Sequence, residues 1–459
     1  MIRTRRFSLP ALLGLFLGVP TLVGAQADRL NSPSRVTNPR LEGTQQPQRS
    51  GLPEPLESRG EAPLGLPPIG GQLSPVEAAR MERDLISLGR SVSDPGERGF
   101  TLCRIAEITI LGVRDSREPG DLDKLDEAQR ILIEAWQALR LVNDRLVHDN
   151  REVALVDTLL LLGAVYKDLG LVSDVIPLLE NTLNVPPQTK QSREAALQRS
   201  LRTFTLAAQA ATEIRNPNFR SETLYRVAEQ HAEAANNIAT AQVEMSRPPS
   251  ATETTSPLNQ EEEADRAFQQ AANHARLIQR QVWMDQALLA VVLQAASANR
   301  FATAIGVAST IPEPQVRAEG LIRTAEYQIA NGQPSDEITR TYSEAARAVA
   351  SIPREDPRAV LANLLVQSLS EAGRFPDARA CVALLNDPVQ REAALVSIAE
   401  EMGRRGLDQL ARDWILREAP PNLQSRLLRS VSTGVIESIK QYRTSTLPTL
   451  GIGSGLVQP

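Results

Sequence analysis

The sequence predicts an all-α chain of repeated helix pairs, an α-solenoid, and three observations carry that prediction. The first is a frame that occurs four times: a proline, an arginine three residues on, a leucine seven on and an alanine eleven on. It reads Pro95/Arg98/Leu102/Ala106, Pro217/Arg220/Leu224/Ala228, Pro314/Arg317/Leu321/Ala325 and Pro388/Arg391/Leu395/Ala399. An aliphatic residue stands three before each proline, at Val92, Ile214, Ile311 and Leu385. The second is composition: aromatics are 3%, alanine is abundant, and no stretch alternates with period two, so stacked helices are expected and sheets are not. The third is a period, since Ala304, Ala345, Ala378 and Ala411 are separated by 41, 33 and 33 residues. A unit of about 33 residues holds two helices and two short turns, and the longer step implies an eight-residue insertion near 336–342.

Residues 1–27 read as a secretory signal peptide. Arg3, Arg5 and Arg6 precede an apolar run from Leu9 to Val23, and Ala25-Gln26-Ala27 offers a small-x-small cleavage site. No cysteine lies near that site, which excludes a lipid anchor, and no later segment is apolar enough to span a bilayer. The mature product is expected to be exported to the periplasm or outside the cell, with a bacterial envelope as the setting. Residues 28–73, with Gly65-Leu66-Pro67-Pro68-Ile69-Gly70-Gly71, are too rich in proline, glycine and charge to bury a core and read as a disordered tether.

From Ser74-Pro75, an N-cap followed by proline at the first helical position, helices are expected almost without interruption to residue 442. A polar loop at about 246–258 breaks them, and 443–459 reads as a disordered tail. Within this 74–442 repeat domain the frame has a physical cause. Proline at the first helical position forfeits no hydrogen bond, because its N–H would have no intrahelical partner. Offsets of three, seven and eleven share one helical stripe, so the leucine and alanine are core. The arginine lies on that stripe beside the end of the preceding helix, where carbonyls lack partners. Arg98, Arg220, Arg317 and Arg391 are therefore expected to be structural, capping the preceding helix or pairing with a carboxylate. The alternative is an arginine ladder that grips an anionic partner.

The net charge of -5 argues against nucleic acid as a partner, and 46 of the 50 basic residues are scattered arginines. Cys103 and Cys381, 278 residues apart among apolar neighbours, read as buried small hydrophobes. His148, His231 and His274 have no ligand spacing, so neither a metal nor a cofactor is expected. Asp121, Asp123 and Asp126 read as an acidic helix start, as does Glu261-Glu262-Glu263. No nucleophile elbow, phosphate loop or zinc-protease motif occurs, so no catalytic residue is assigned. Trp136, Trp283 and Trp414 sit at helical spacing among aliphatics, as core or as groove-lining anchors.

Leu162-Gly163-x-x-Tyr166-x-x-x-Gly170, with Pro187 beyond it, has the spacing of the first helix of a tetratricopeptide repeat and its unit end. Gly373-x-Phe375-x-x-Ala378 and its variant Asn299-x-Phe301-x-x-Ala304 match that family's inter-helix turn. Residues 74–442 thus resemble a degenerate tetratricopeptide-like array. The resemblance implies a right-handed superhelix of antiparallel helix pairs that binds peptides or proteins without catalysis, a scaffold module. An exported helical enzyme acting on cell-wall glycan, using a carboxylate pair, is the first alternative. A self-assembling envelope component is the second.

Overall fold

A computed structural model describes residues 75–116, 121–171, 190–245 and 258–446. The signal peptide, the tether at 28–73, Pro187, the loop up to residue 257 and the tail from 447 lie outside the described residues. Within them there is no strand, and sixteen α-helices follow one another. These are α1 (Pro75–Ser91), α2 (Pro95–Ser116), α3 (Asp121–Leu139), α4 (Arg145–Leu171), α5 (Lys190–Glu213), α6 (Pro217–Met245), α7 (Leu258–Arg276) and α8 (Gln281–Ser297). Then come α9 (Phe301–Ser309), α10 (Pro314–Ala330), α11 (Ser335–Ala350), α12 (Glu355–Glu371), α13 (Phe375–Cys381), α14 (Pro388–Arg404), α15 (Asp408–Glu418) and α16 (Pro421–Thr446). The last helix runs four residues past the boundary expected from sequence.

Each even-numbered helix packs on the even helix before it and on the odd helices beside it. The even helices therefore form one continuous layer, and the odd ones a second, looser layer over it. This is an all-α repeat solenoid. The frame prolines open α2, α6, α10 and α14, every second helix of the even layer. Leu102, Leu224 and Leu321 and all four frame alanines are at most 2% exposed, while Leu395 is half-buried against the same core.

The joint into the even layer is more general than the frame. At Val92, Val142, Ile214, Ile278, Ile311, Ile352 and Leu385 the backbone N–H bonds to the carbonyl three residues back, at 3.0–3.4 Å, as the odd helix tightens into its last turn. Each is aliphatic, and six of the seven are buried. Burying such a side chain is worth about 1.5–3 kcal/mol, so the same anchor recurs where proline and arginine do not.

From α8 on, the even helices start at Gln281, Pro314, Glu355, Pro388 and Pro421, steps of 33, 41, 33 and 33 residues. The eight extra residues lengthen α11 to 16 residues, against 9 in α9 and 7 in α13. The turn after each even helix here has one residue with positive φ: Asn299 (62°), Gly332 (68°), Gly373 (74°) and Gly406 (72°). The next N–H reaches back five residues, as in Arg374 N to Leu369 O at 2.8 Å and Leu407 N to Met402 O at 2.9 Å. This is a Schellman closure, and it favours glycine or asparagine because a Cβ crowds the left-handed conformation. The glycine-aromatic-alanine turns read from sequence are two of these closures, with Phe301 and Phe375 buried behind them.

Candidate functional site

The four frame arginines sit at the joints. Arg98 donates to Val92 O at 3.4 Å, Arg220 to Ile214 O at 2.7 Å and Arg391 to Asn386 O at 3.1 Å. The acceptors are orphan carbonyls at the preceding helix end. Arg317 makes no such bond among the described residues; at its joint Thr310 Oγ1 donates to Val307 O at 2.7 Å and Arg276 donates to Thr310 Oγ1 at 3.1 Å.

Asp126 accepts from Tyr166 Oη at 2.6 Å and from both arms of Arg199, tying α3, α4 and α5 together. Glu262 pairs with Arg266 along α7, and Glu263 accepts from Gln198. Cys103 is buried and Cys381 half-buried, both as free thiols, and burial raises them to about 12 and about 11. Trp414 is core. Trp136 is half-buried with its Nε1–H on Glu213, and Trp283 is exposed at the even layer, edge-on to Tyr225 at 5.4 Å.

A second recurrence lies in the same frame, on the exposed face of the even layer. Nine and twelve residues after the proline stand Arg104 and Glu107 on α2, Arg226 and Glu229 on α6, and Arg323 and Glu326 on α10. The fourth copy keeps Glu400 but has Ser397. Arg104 pairs with Glu107 at 2.5 Å and Arg323 with Glu326 at 2.9 Å. Arg226 instead crosses to Asp157 on α4. At the same register α4 has Ala154 and Asp157, α8 has Ala290 and Leu293, and α12 has Leu364 and Gln367, so of the helices between the charged rungs only α8 is wholly apolar there. The arginine side chains are 36–60% exposed. Burial raises the Glu229 carboxyl, with Glu233 adding to the shift, and burial likewise raises Glu319 against the pull of Arg323. The sequence carried this signal in the frame it had already revealed. Attention to proline, leucine and alanine, the core-forming positions, passed over it.

Between α2 and α4 this face holds a cavity of about 220 Å³, lined by Phe100, Arg104, Glu107, Asp157, Thr158 and Leu161 among others. Arg151 crosses its rim, 3.9 Å over the Phe100 ring and 2.9 Å from Glu97. Lys167 reaches Glu233 at 2.9 Å, and Asn236 reaches Gln294 at 2.7 Å, so α4, α6 and α8 are bridged in turn.

Behind this layer lie the histidines, all three buried. His148 Nε2 is 3.6 Å from Glu152 Oε1, and His148 Nδ1 is 3.5 Å from Asp149 Oδ1. Glu152 is fully buried, and neither carboxyl oxygen has a hydrogen-bond donor. Burial, then the charges of Glu213 and Asp149, push it up to about 8 against Arg140 and Arg215. A buried carboxyl of raised pKa is what a glycan-cleaving site would need, but Glu152 lies enclosed in the core and lines neither of the two cavities described, at α2–α4 and α1–α3. His231 and His274 face each other at 5.1 Å between ring centroids, with Phe204 beside His231. Burial pulls them down to about 3 and about 4. No cluster of three or more metal-binding side chains occurs among the described residues.

No family model and no curated protein matches the chain. Among solved structures it is similar to Ton1535 from Thermococcus onnurineus NA1, at 12% identity over 78% of this chain and 85% of that one, with a TM-score of 0.27. It is also similar to a circular tandem repeat protein with novel repeat topology and enhanced subunit contact surfaces, at 15% identity over 80% and 87%, with a TM-score of 0.35. The assignment to the helical repeat class rests on the layers and joints described above.

Proposed function

We propose that the chain is an exported, non-catalytic scaffold of tetratricopeptide-like repeats that binds an extended polypeptide along the exposed face of its even layer. The recurrence of Arg-x-x-Glu in register on α2, α6 and α10 carries this reading. Partly exposed charged residues that recur in register are explained by a ligand that runs across the units. Neighbouring helices in a layer lie about 8–10 Å apart, and an extended chain rises about 3.3 Å per residue. Each helix therefore meets about three residues of such a ligand, charged rungs engaging its side chains or amides and the apolar rung of α8 a hydrophobic position. Trp283 and Tyr225 supply an aromatic anchor beside α6 and α8.

The test is affinity capture from a native envelope extract with the chain lacking residues 1–27, beside the variant Arg104→Ala/Arg323→Ala. Specific co-purifying proteins recovered by the parent and lost by the variant, at equal thermal stability, are expected. Capture that is indifferent to the substitutions, or glycan cleavage by the parent chain, overturns the reading. A tagged chain retained in the cytoplasm removes export from it.

A further inference from the structure

We propose that the buried pair of His148 and Glu152, with a proton stored on the Glu152 carboxyl, acts as a pH-sensitive latch on the joint between α4 and α6. The register makes the pair anomalous. Counting from the first residue of α4, Arg145, His148 stands three on and Glu152 seven on, where the proline-led helices carry a joint arginine and a core leucine. A fully buried carboxyl thus replaces a side chain equivalent to Leu102, Leu224 and Leu321. No hydrogen bond offsets its burial, since both oxygens of Glu152 and Nδ1 of His148 lack partners.

A proton on Glu152 leaves its carboxyl neutral in the core. Loss of that proton to solvent leaves a bare carboxylate in the core. The groups facing it are Arg140 in the turn after α3, Glu213 on α5, Arg215 in the α5–α6 turn and Asp149 on its own helix, with the Cys103 thiol of α2 also within its field. Two positive groups oppose two negative ones, so the surroundings do not neutralise the new charge.

The latch is what surrounds the pair. Asp149 accepts from the backbone N–H groups of Arg215 at 2.6 Å and Asn216 at 3.0 Å. Arg215 donates to Asn143 O and Val142 O, both at 3.2 Å, and Arg145 returns a bond to Arg215 O at 3.0 Å. The turns before α4 and before α6 are thereby stitched together over the pair, and opening them admits water to Glu152. The closed joint holds more protons than the open one between the ordinary carboxylate value of 4.5 and about 8. Its stability therefore falls as pH rises through that window.

Hydrogen exchange on the full chain tests this. After correction for intrinsic exchange, the opening constant at the Arg215 and Asn216 amides is expected to rise up to about tenfold per pH unit between pH 5 and 8. Glu152→Gln, which keeps shape and stays neutral, and Glu152→Leu, which restores the frame, are each expected to abolish that slope. A slope that survives Glu152→Gln overturns the proposal, and so does a flat wild-type profile. A slope confined to amides that exchange only by global unfolding also overturns it, because the pair is then a core defect and latches nothing.

Discussion

The units before α8 and those after it solve the same packing problem with different chemistry. The even helices α2, α4, α6 and α8 start 50, 72 and 64 residues apart, and all three histidines and the buried Asp149, Glu152 and Lys167 lie among them. From α8 onward the steps shorten to 33 or 41 residues, positive-φ turns close the even helices, and Asp285 is the sole charged residue among the buried ones described. Long units bring more side chains from non-neighbouring turns into one core and place polar groups there. Short units are set by backbone closure and leave room for little besides alanine and aliphatics. The difference teaches that regularity in a solenoid follows from its turns, whereas pH sensitivity follows from departures at core positions.

The largest effect is expected where the short units depend on bare backbone. Gly403 and Gly434 let α14 and α16 touch, and a Cβ at Gly434 falls 2.0 Å from the Glu400 carbonyl oxygen. Gly434→Val should cost about 3 kcal/mol or more by urea unfolding, with exchange protection lost first in α14 and α16. Unchanged stability refutes the close crossing.

Acid separates the halves next. His231 and His274 are depressed to about 3 and about 4 in the fold against 6.5 outside it, so the unfolded chain binds more protons between those values. Stability should thus rise with pH from about 4 to 6.5, by up to about 1.4 kcal/mol per pH unit for each histidine. His231→Phe should flatten the profile by one histidine's share. An unaltered slope in that variant places the acid sensitivity elsewhere.

Glu152→Leu makes the long units resemble the short ones. It removes an unpartnered buried carboxyl and should stabilise the chain at pH 8 by about 1–3 kcal/mol, read as a shift in the denaturant midpoint. A destabilised variant shows that Glu152 has a partner at that pH. The smallest effect is at the closures: Gly406→Ala forces a Cβ into φ +72° and should cost about 1 kcal/mol, whereas Gly112→Ala, inside α2 with open space around it, should slightly stabilise.

Much of the fold was legible. The proline-led starts, the alanine period and the two aromatic turns each depend on neighbours within one or two helical turns, and they placed α2, α6, α10, α14 and the insertion in α11. The joint anchors Val142 and Ile278 were missed, because without proline and arginine nothing local marks an aliphatic residue as a hinge, whereas the alanine period had put Ile352 in register with Ile311 and Leu385. The Arg-x-x-Glu rungs were readable and overlooked, since nothing in a sequence distinguishes a charged residue facing solvent from one facing a ligand.

By itself the sequence determined the helical class, the repeat and its joints, because torsional preference and periodicity are properties of short stretches. Only the tertiary structure decided that Glu152 and the histidines are buried, that Arg226 crosses to Asp157 rather than to Glu229, and that Trp283 is exposed while Trp414 is core. Burial and charge partners depend on which helix lies opposite. That is set by the packing of units fifty or more residues apart in the long half of the chain, a distance over which local pattern carries no information.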